Sequence, residues 1–215
     1  MKIAIDGPAG AGKSTIAKLI ARKLNLLYID TGAMYRAITY AVLNSNISPD
    51  DREKVIELLK ELKIEYKKSE DGIDIYINNV KVNDKLRNKI IDKNVSIISA
   101  IPEVRELLVA HQREISKNYD VILDGRDIGT VVFPDADYKF YLDASVDVRA
   151  ERRLKDAKNK ENLSIEEIKA DIIKRDRIDS TRKVSPLKRA SDAIYIDTSN
   201  MSIEEVVNKV ISYIK

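Results

Sequence analysis

Read from its N-terminus, the chain alternates short unbroken apolar runs with longer stretches in which apolar residues recur every three or four positions. Lys2–Asp6, Leu26–Asp30, Val121–Gly125, Tyr138–Ala144 and Ala193–Thr198 are runs of this short kind and read as buried strands. Helical patterns lie between them, near 13–24, 33–45, 49–62, 103–117, 146–158, 164–180 and 202–214. Ser164…Glu167 and Ser202…Glu205 have the spacing of capping boxes, and Ser48…Asp51 is a weaker variant with Pro49 at the first helical position. Continuous apolar strands alternating with helices predict a parallel sheet covered on both faces.

One stretch breaks this rhythm. Residues 63–82 alternate apolar and polar positions, with turns at Asp71-Gly72 and Asn78-Asn79, which predicts a small antiparallel meander. It reads as an inserted subdomain over about 63–98, within a single domain whose core is 1–62 and 99–215.

Composition narrows the chemistry. The 215 residues carry 38 Lys+Arg against 35 Asp+Glu, a net charge of +3, too even for a general polyanion binder. With no cysteine and a single histidine, His111, neither disulfides nor a His/Cys metal cluster is expected. No apolar run approaches the ~18 residues a membrane span needs, and Asp6 interrupts the first one, so a cytoplasmic location is expected, with no membrane partner.

The sharpest motif is Gly7-Pro8-Ala9-Gly10-Ala11-Gly12-Lys13-Ser14, with Thr15 behind it, placed after a strand and opening a helix. Its glycines let successive amides turn inward as an anion nest, and the helix N-terminus adds positive potential. Lys13 is suited to bridge the β- and γ-phosphates of ATP, and the Ser14 hydroxyl to ligate Mg²⁺. The motif says nucleotide, and does not say what receives the phosphate. No Asn-Lys-x-Asp signature of a GTPase follows.

Candidate acceptor groups stand at later strand ends, where ligands of open parallel sheets bind. The second strand runs into Asp30-Thr31-Gly32-Ala33-Met34-Tyr35-Arg36, and Arg36 can fork onto a phosphate or equally be a surface arginine. The third ends Asp124-Gly125-Arg126-Asp127-Ile128-Gly129, placing Asp124 where P-loop folds keep a carboxylate beside the metal; a plain Asp-Gly turn is the alternative. Arg149, Arg152 and Arg153 share one helix face, as do Arg175, Asp179 and Arg182. Either group is a solvated face or a lid over transferring phosphates, and the P-loop favours the lid.

With these motifs and Gly125-Arg126-Asp127-Ile128-Gly129-Thr130-Val131-Val132-Phe133-Pro134, the chain resembles the bacterial cytidylate kinases over essentially its whole length. The resemblance implies an α/β fold, a P-loop three-layer sandwich with a five-stranded parallel sheet, an inserted antiparallel β subdomain and a helical lid near 149–182. It implies Mg²⁺-dependent phosphoryl transfer from ATP to CMP or dCMP by a monomer. In it, Arg36, Arg126 and Arg182 resemble the acceptor-phosphate ligands, with Thr31 and Tyr35 beside them. Ser96, Arg105 and Asp127 resemble the cytosine-reading residues, with Ser99 able to replace Ser96. Arg175 and Asp179 resemble the sugar contacts, while Lys13, Arg126, Arg149, Arg153 and Arg182 carry the catalytic charge. Cytosine offers a donor amine where uracil offers an acceptor, so CMP and dCMP are expected over UMP. Another small-molecule P-loop kinase and a nucleic-acid-binding module are the competing readings; even charge and few aromatics oppose the second.

Overall fold

The structure is a computed structural model and describes residues 1–157 and 164–214. The chain opens with β1 (Lys2–Asp6), α1 (Lys13–Leu24), β2 (Leu27–Asp30), α2 (Thr31–Asn44) and α3 (Arg52–Glu61). Next come β3 (Ile64–Ser69), β4 (Gly72–Ile77) and β5 (Val80–Lys81), then α4 (Lys89–Ile98) and α5 (Pro102–Ile115). The remainder is β6 (Val121–Gly125), β7 (Tyr138–Asp143), α6 (Val146–Ala157), α7 (Ile165–Thr181), β8 (Ile194–Asp197) and α8 (Ile203–Ser212).

The five apolar strands form one parallel sheet in the order β2-β6-β1-β7-β8. Its alternate residues feed separate cores, as strand geometry requires. Ala4, Leu27, Ile29, Val121 and Leu123 pack with α2, α5 and the meander, whereas Ile3, Ile5, Tyr28, Ile122 and Phe140 pack with α1 and α8. This is the expected three-layer sandwich. Register brings Asp30 level with Asp124, and Asp124 level with Ile5, so β2, β6 and β1 end at one edge beside the P-loop.

The meander pairs antiparallel as β3-β4-β5. Its Ile73, Ile75 and Ile77 join the same core as Ile29 and Ile38, so it is anchored on the main sheet. Gly72, at φ +131°, lies so close to β2 that an added Cβ would sit 2.6 Å from the Tyr28 carbonyl oxygen. The Asn83 side chain then holds the meander's exit, accepting from the Ile75 amide (2.8 Å) and donating to the Ile73 carbonyl (3.1 Å).

Two local expectations are corrected. The helix expected from 49 starts at Arg52, because the Asp51 carboxylate caps it by accepting from the Lys54 amide, and the Ser48…Asp51 box does not form. The β insert also contains a helix, α4, capped by the Asn88 side chain and burying Ile91, Val95 and Ile98 on one face. The capping boxes of α7 and α8 form as read. Residues 158–163 of the expected lid lie outside the described residues.

Candidate active site

The P-loop connects β1 to α1, and its glycines are needed for specific reasons. Gly10 and Gly12 have φ of 81° and 85°, in the left-handed region, and Gly12 is the residue before the first turn of α1. A Cβ on Gly7 would sit 1.9 Å from the Leu142 carbonyl oxygen of β7. Lys13 is buried and donates to the Pro8 carbonyl at 2.6 Å, closing the loop on itself. Burial, and next the Arg126 guanidinium, lower its ammonium from the ordinary lysine value to about 7.

Ser14 donates its hydroxyl to Asp124 Oδ2 (2.7 Å), and the Tyr28 hydroxyl donates to Asp124 Oδ1 (2.7 Å). The Thr31 hydroxyl donates to the Asp124 backbone carbonyl (2.7 Å). Asp124 is buried, and that burial, aided by the nearby Asp30 charge, raises its carboxyl. Asp6, one strand away, accepts from the Ile128 and Gly129 amides at 2.8 Å each. Burial pushes its carboxyl up to about 6. The Ile128–Val132 segment that supplies those amides is a single π-helical turn, for which the sequence carried no recognised signal.

The P-loop and most expected acceptor residues line one cavity of about 600 Å³. Ala9, Gly10, Ala11, Gly12, Lys13, Ser14 and Thr15 occupy one side. Across it stand Thr31, Tyr35, Arg36, Arg105, Asp124, Arg126, Asp127, Arg175, Asp179 and Arg182, with Arg153 at the margin. Gly7 and Pro8 do not line it, and the Pro8 carbonyl faces Lys13. Ser99 lines the cavity, whereas Ser96 is buried and accepts, through its carbonyl, from the Ser99 hydroxyl (3.2 Å).

The cations and carboxylates across the cavity from the P-loop interlock. Arg126 Nε donates to Asp179 Oδ2 (2.9 Å), and Arg105 donates to Asp127 Oδ2 (2.5 Å) and the Ser99 carbonyl (3.1 Å). Arg182 lies 3.6 Å from Asp127 and 3.7 Å from Asp179. Burial would raise Asp179, yet Arg126, Arg175 and Arg182 hold it below its ordinary value. Arg175 is lowered to about 10, by burial and then by Arg126. The buried Arg175 Nε and one Arg182 nitrogen have no hydrogen-bond partner among the described residues. Such positive groups, short of acceptors, suit a polyanionic ligand.

Arg149 stands outside the cavity. Its guanidinium donates to the Ala9 carbonyl (2.9 Å), the Ala144 carbonyl (2.9 Å) and Asp176 (2.6 Å), bracing the P-loop from the α6 side. Sequence reasoning grouped Arg152 with the lid but missed its setting, where it donates to the Thr198 hydroxyl (3.0 Å) and carbonyl (2.7 Å), beside Met201, Ile203 and Val206. It also missed Arg87, which lines the cavity and pairs with Asp30 at 3.1 Å. An apolar shelf at the start of α8 carries no motif, so only folding brings it to the P-loop.

A family model for cytidylate kinase matches residues 3–215. A cytidylate kinase of Clostridium botulinum (strain Loch Maree / Type A3) is 53% identical over 100% of this chain and 98% of its own length. One of Clostridioides difficile (strain 630) is 51% identical over 99% and 97%. Among solved structures, an uncharacterized protein from Eubacterium ventriosum ATCC 27560 aligns at TM-score 0.50 and 11% identity, over 100% of this chain and 98% of that one, a likeness of fold alone.

Proposed function

Because this chain belongs to the cytidylate kinase family, we propose that it transfers the γ-phosphoryl group of ATP to CMP or dCMP, giving ADP and CDP or dCDP. The observation that carries this reading is one cavity with a P-loop on one side and Arg36, Arg126, Arg175 and Arg182 on the other.

ATP lies with its phosphates in the nest of residues 9–15, and its base toward the shelf of Arg152, Thr198, Met201 and Ile203. Lys13 exchanges the Pro8 carbonyl for phosphate oxygens. The acceptor phosphate is held by Arg36, Arg126 and Arg182, with Thr31 and Tyr35 beside it. Arg175 and Asp179 meet the sugar. Arg105 and Asp127, with Ser99 or Ser96, read the cytosine edge: the carboxylate accepts from the exocyclic amine and the guanidinium donates to ring acceptors. The acceptor phosphate is already anionic, so transfer in line needs no protein base; positioning and charge stabilisation carry it. Lys13, Arg126, Arg153 and Arg182 supply that charge, and Arg149 acts through the loop it braces.

The donor set suits a hard divalent cation. Ser14 and Asp124 present only oxygen and already share a hydrogen bond of 2.7 Å, an arrangement fitted to Mg²⁺ held by the hydroxyl, with the carboxylate behind the metal's own ligands. When bound, Mg²⁺ would neutralise charge on the donor phosphates. The insert at about 63–98 and the lid helices α6 and α7 move over the substrates to exclude water. The enzyme is taken to act as a monomer, and the ATP requirement supports the cytoplasm.

A coupled assay of ADP release against CMP, dCMP, UMP and AMP tests this reading. The expected outcome is efficient turnover of CMP and dCMP with much lower kcat/KM for UMP and AMP. Equal kcat/KM for UMP and CMP would refute the proposed base contacts, and turnover of none would refute the reading as a whole.

A further inference from the structure

The Arg36 guanidinium is engaged by groups of the chain itself. It lies 2.6 Å from Asp92 Oδ1 of α4 and donates to the Leu86 carbonyl at 3.4 Å. Both partners belong to the segment after the meander, whereas Arg36 sits on α2 and lines the cavity. The two side chains are only 14% and 31% exposed, so water screens this pair less than a surface one. Arg175, across the cavity on α7, is also within electrostatic reach of both Arg36 and Asp92.

Three other arginines assigned to the acceptor differ in one respect. Arg105, Arg126 and Arg182 pair with Asp127 and Asp179, carboxylates that line the cavity and that the reading above keeps for base and sugar. Asp92 does not line the cavity, and no substrate group is assigned to it. Resting on the proposed function, we propose that Asp92 is a counter-ion that the acceptor phosphate displaces from Arg36. A phosphomonoester brings more negative charge and more acceptor oxygens than a carboxylate to the same guanidinium edge, so the exchange runs toward the phosphate. Losing this ion pair loosens α4 from α2, which ties acceptor arrival to movement of the insert. Asp92 is thus a positioning residue: it tunes acceptor affinity through Arg36.

The test measures CMP and ATP dissociation constants by calorimetry on wild-type protein, Asp92→Asn and Asp92→Ser, each alone and with Arg36→Ala. With the competing charge removed, both Asp92 variants are expected to bind CMP roughly three- to tenfold more tightly, with ATP affinity unchanged. With Arg36 present the KM for CMP falls in step with the dissociation constant, and in the Arg36→Ala background the gain disappears. Weaker CMP binding in both variants would instead make Asp92 an orienting ligand of Arg36 and overturn the displacement. Unchanged CMP binding, a parallel change in ATP binding, or a gain that survives Arg36→Ala would also overturn it. If wild-type protein binds ATP but not CMP, the proposed function falls as well; normal wild-type CMP binding with no gain in the variants removes Asp92 alone.

Discussion

Lys13 concentrates the chemistry of the site in one ammonium group. Its burial and the Arg126 charge lower its pKa to about 7. A polyphosphate opposes both effects and raises it again, so ATP binding takes up a proton above pH 7. ATP affinity is therefore expected to fall as pH rises from 7 toward the ordinary lysine value of 10.5. Calorimetry at pH 8 in buffers of different ionisation enthalpy reads this uptake directly, and Lys13→Arg, which stays charged, abolishes it. For the reaction itself, Lys13→Ala or Arg126→Ala is expected to lower kcat by at least about 10² while circular dichroism remains native. A rate near wild type would remove that residue from the mechanism. Lys13 was legible because a fixed motif carries it. The Pro8 carbonyl it bonds and the cation that depresses it lie in separate stretches of chain and had to be brought together.

Among the elements, legibility followed the strength of local signals. The core strands and the helices after Ser164 and Ser202 were readable from apolar runs and capping boxes. By contrast, α4 is short and rich in β-branched residues, a composition with weak helical preference; burial of Ile91, Val95 and Ile98 decides it. The meander was legible by alternation, but its seat on β2 was not, since that depends on Gly72 passing against Tyr28. Gly72→Ala therefore tests the seat. An added methyl at φ +131°, 2.6 Å from a carbonyl oxygen, should lower unfolding free energy by about 1–3 kcal/mol in urea melts. Because β4 shares a core with β2 and α2, CMP affinity should fall as well, with ATP affinity less affected. A melt indistinguishable from wild type would mean that β4 is free to shift.

For the whole molecule, the cavity lies where β1, β2 and β6 end, and is roofed by groups from α2, α5 and α7. Ligands that bridge these elements stabilise the fold by mass action. CMP at about 100 times its dissociation constant should contribute about 2.7 kcal/mol, or roughly 5–11 °C in Tm for a chain of this size. UMP at the same concentration should give a much smaller shift. Scanning calorimetry with the two nucleotides checks this, and equal shifts would contradict cytosine recognition by Arg105 and Asp127.

Sequence alone determined the local items: the P-loop and its strand–helix setting, the Asp-Gly-Arg-Asp run, the strands and most helices. Each is set by residues close in the chain, through turn geometry, capping and periodic burial. Tertiary structure decided the pairings: Ser14 with Asp124, Arg126 with Asp179, Arg105 with Asp127, Arg36 with Asp92. It also separated Arg149, behind the loop, from Arg153 in the cavity, although both lie on one helix. Spacing along a helix says which side chains share a face, but only packing decides what that face meets.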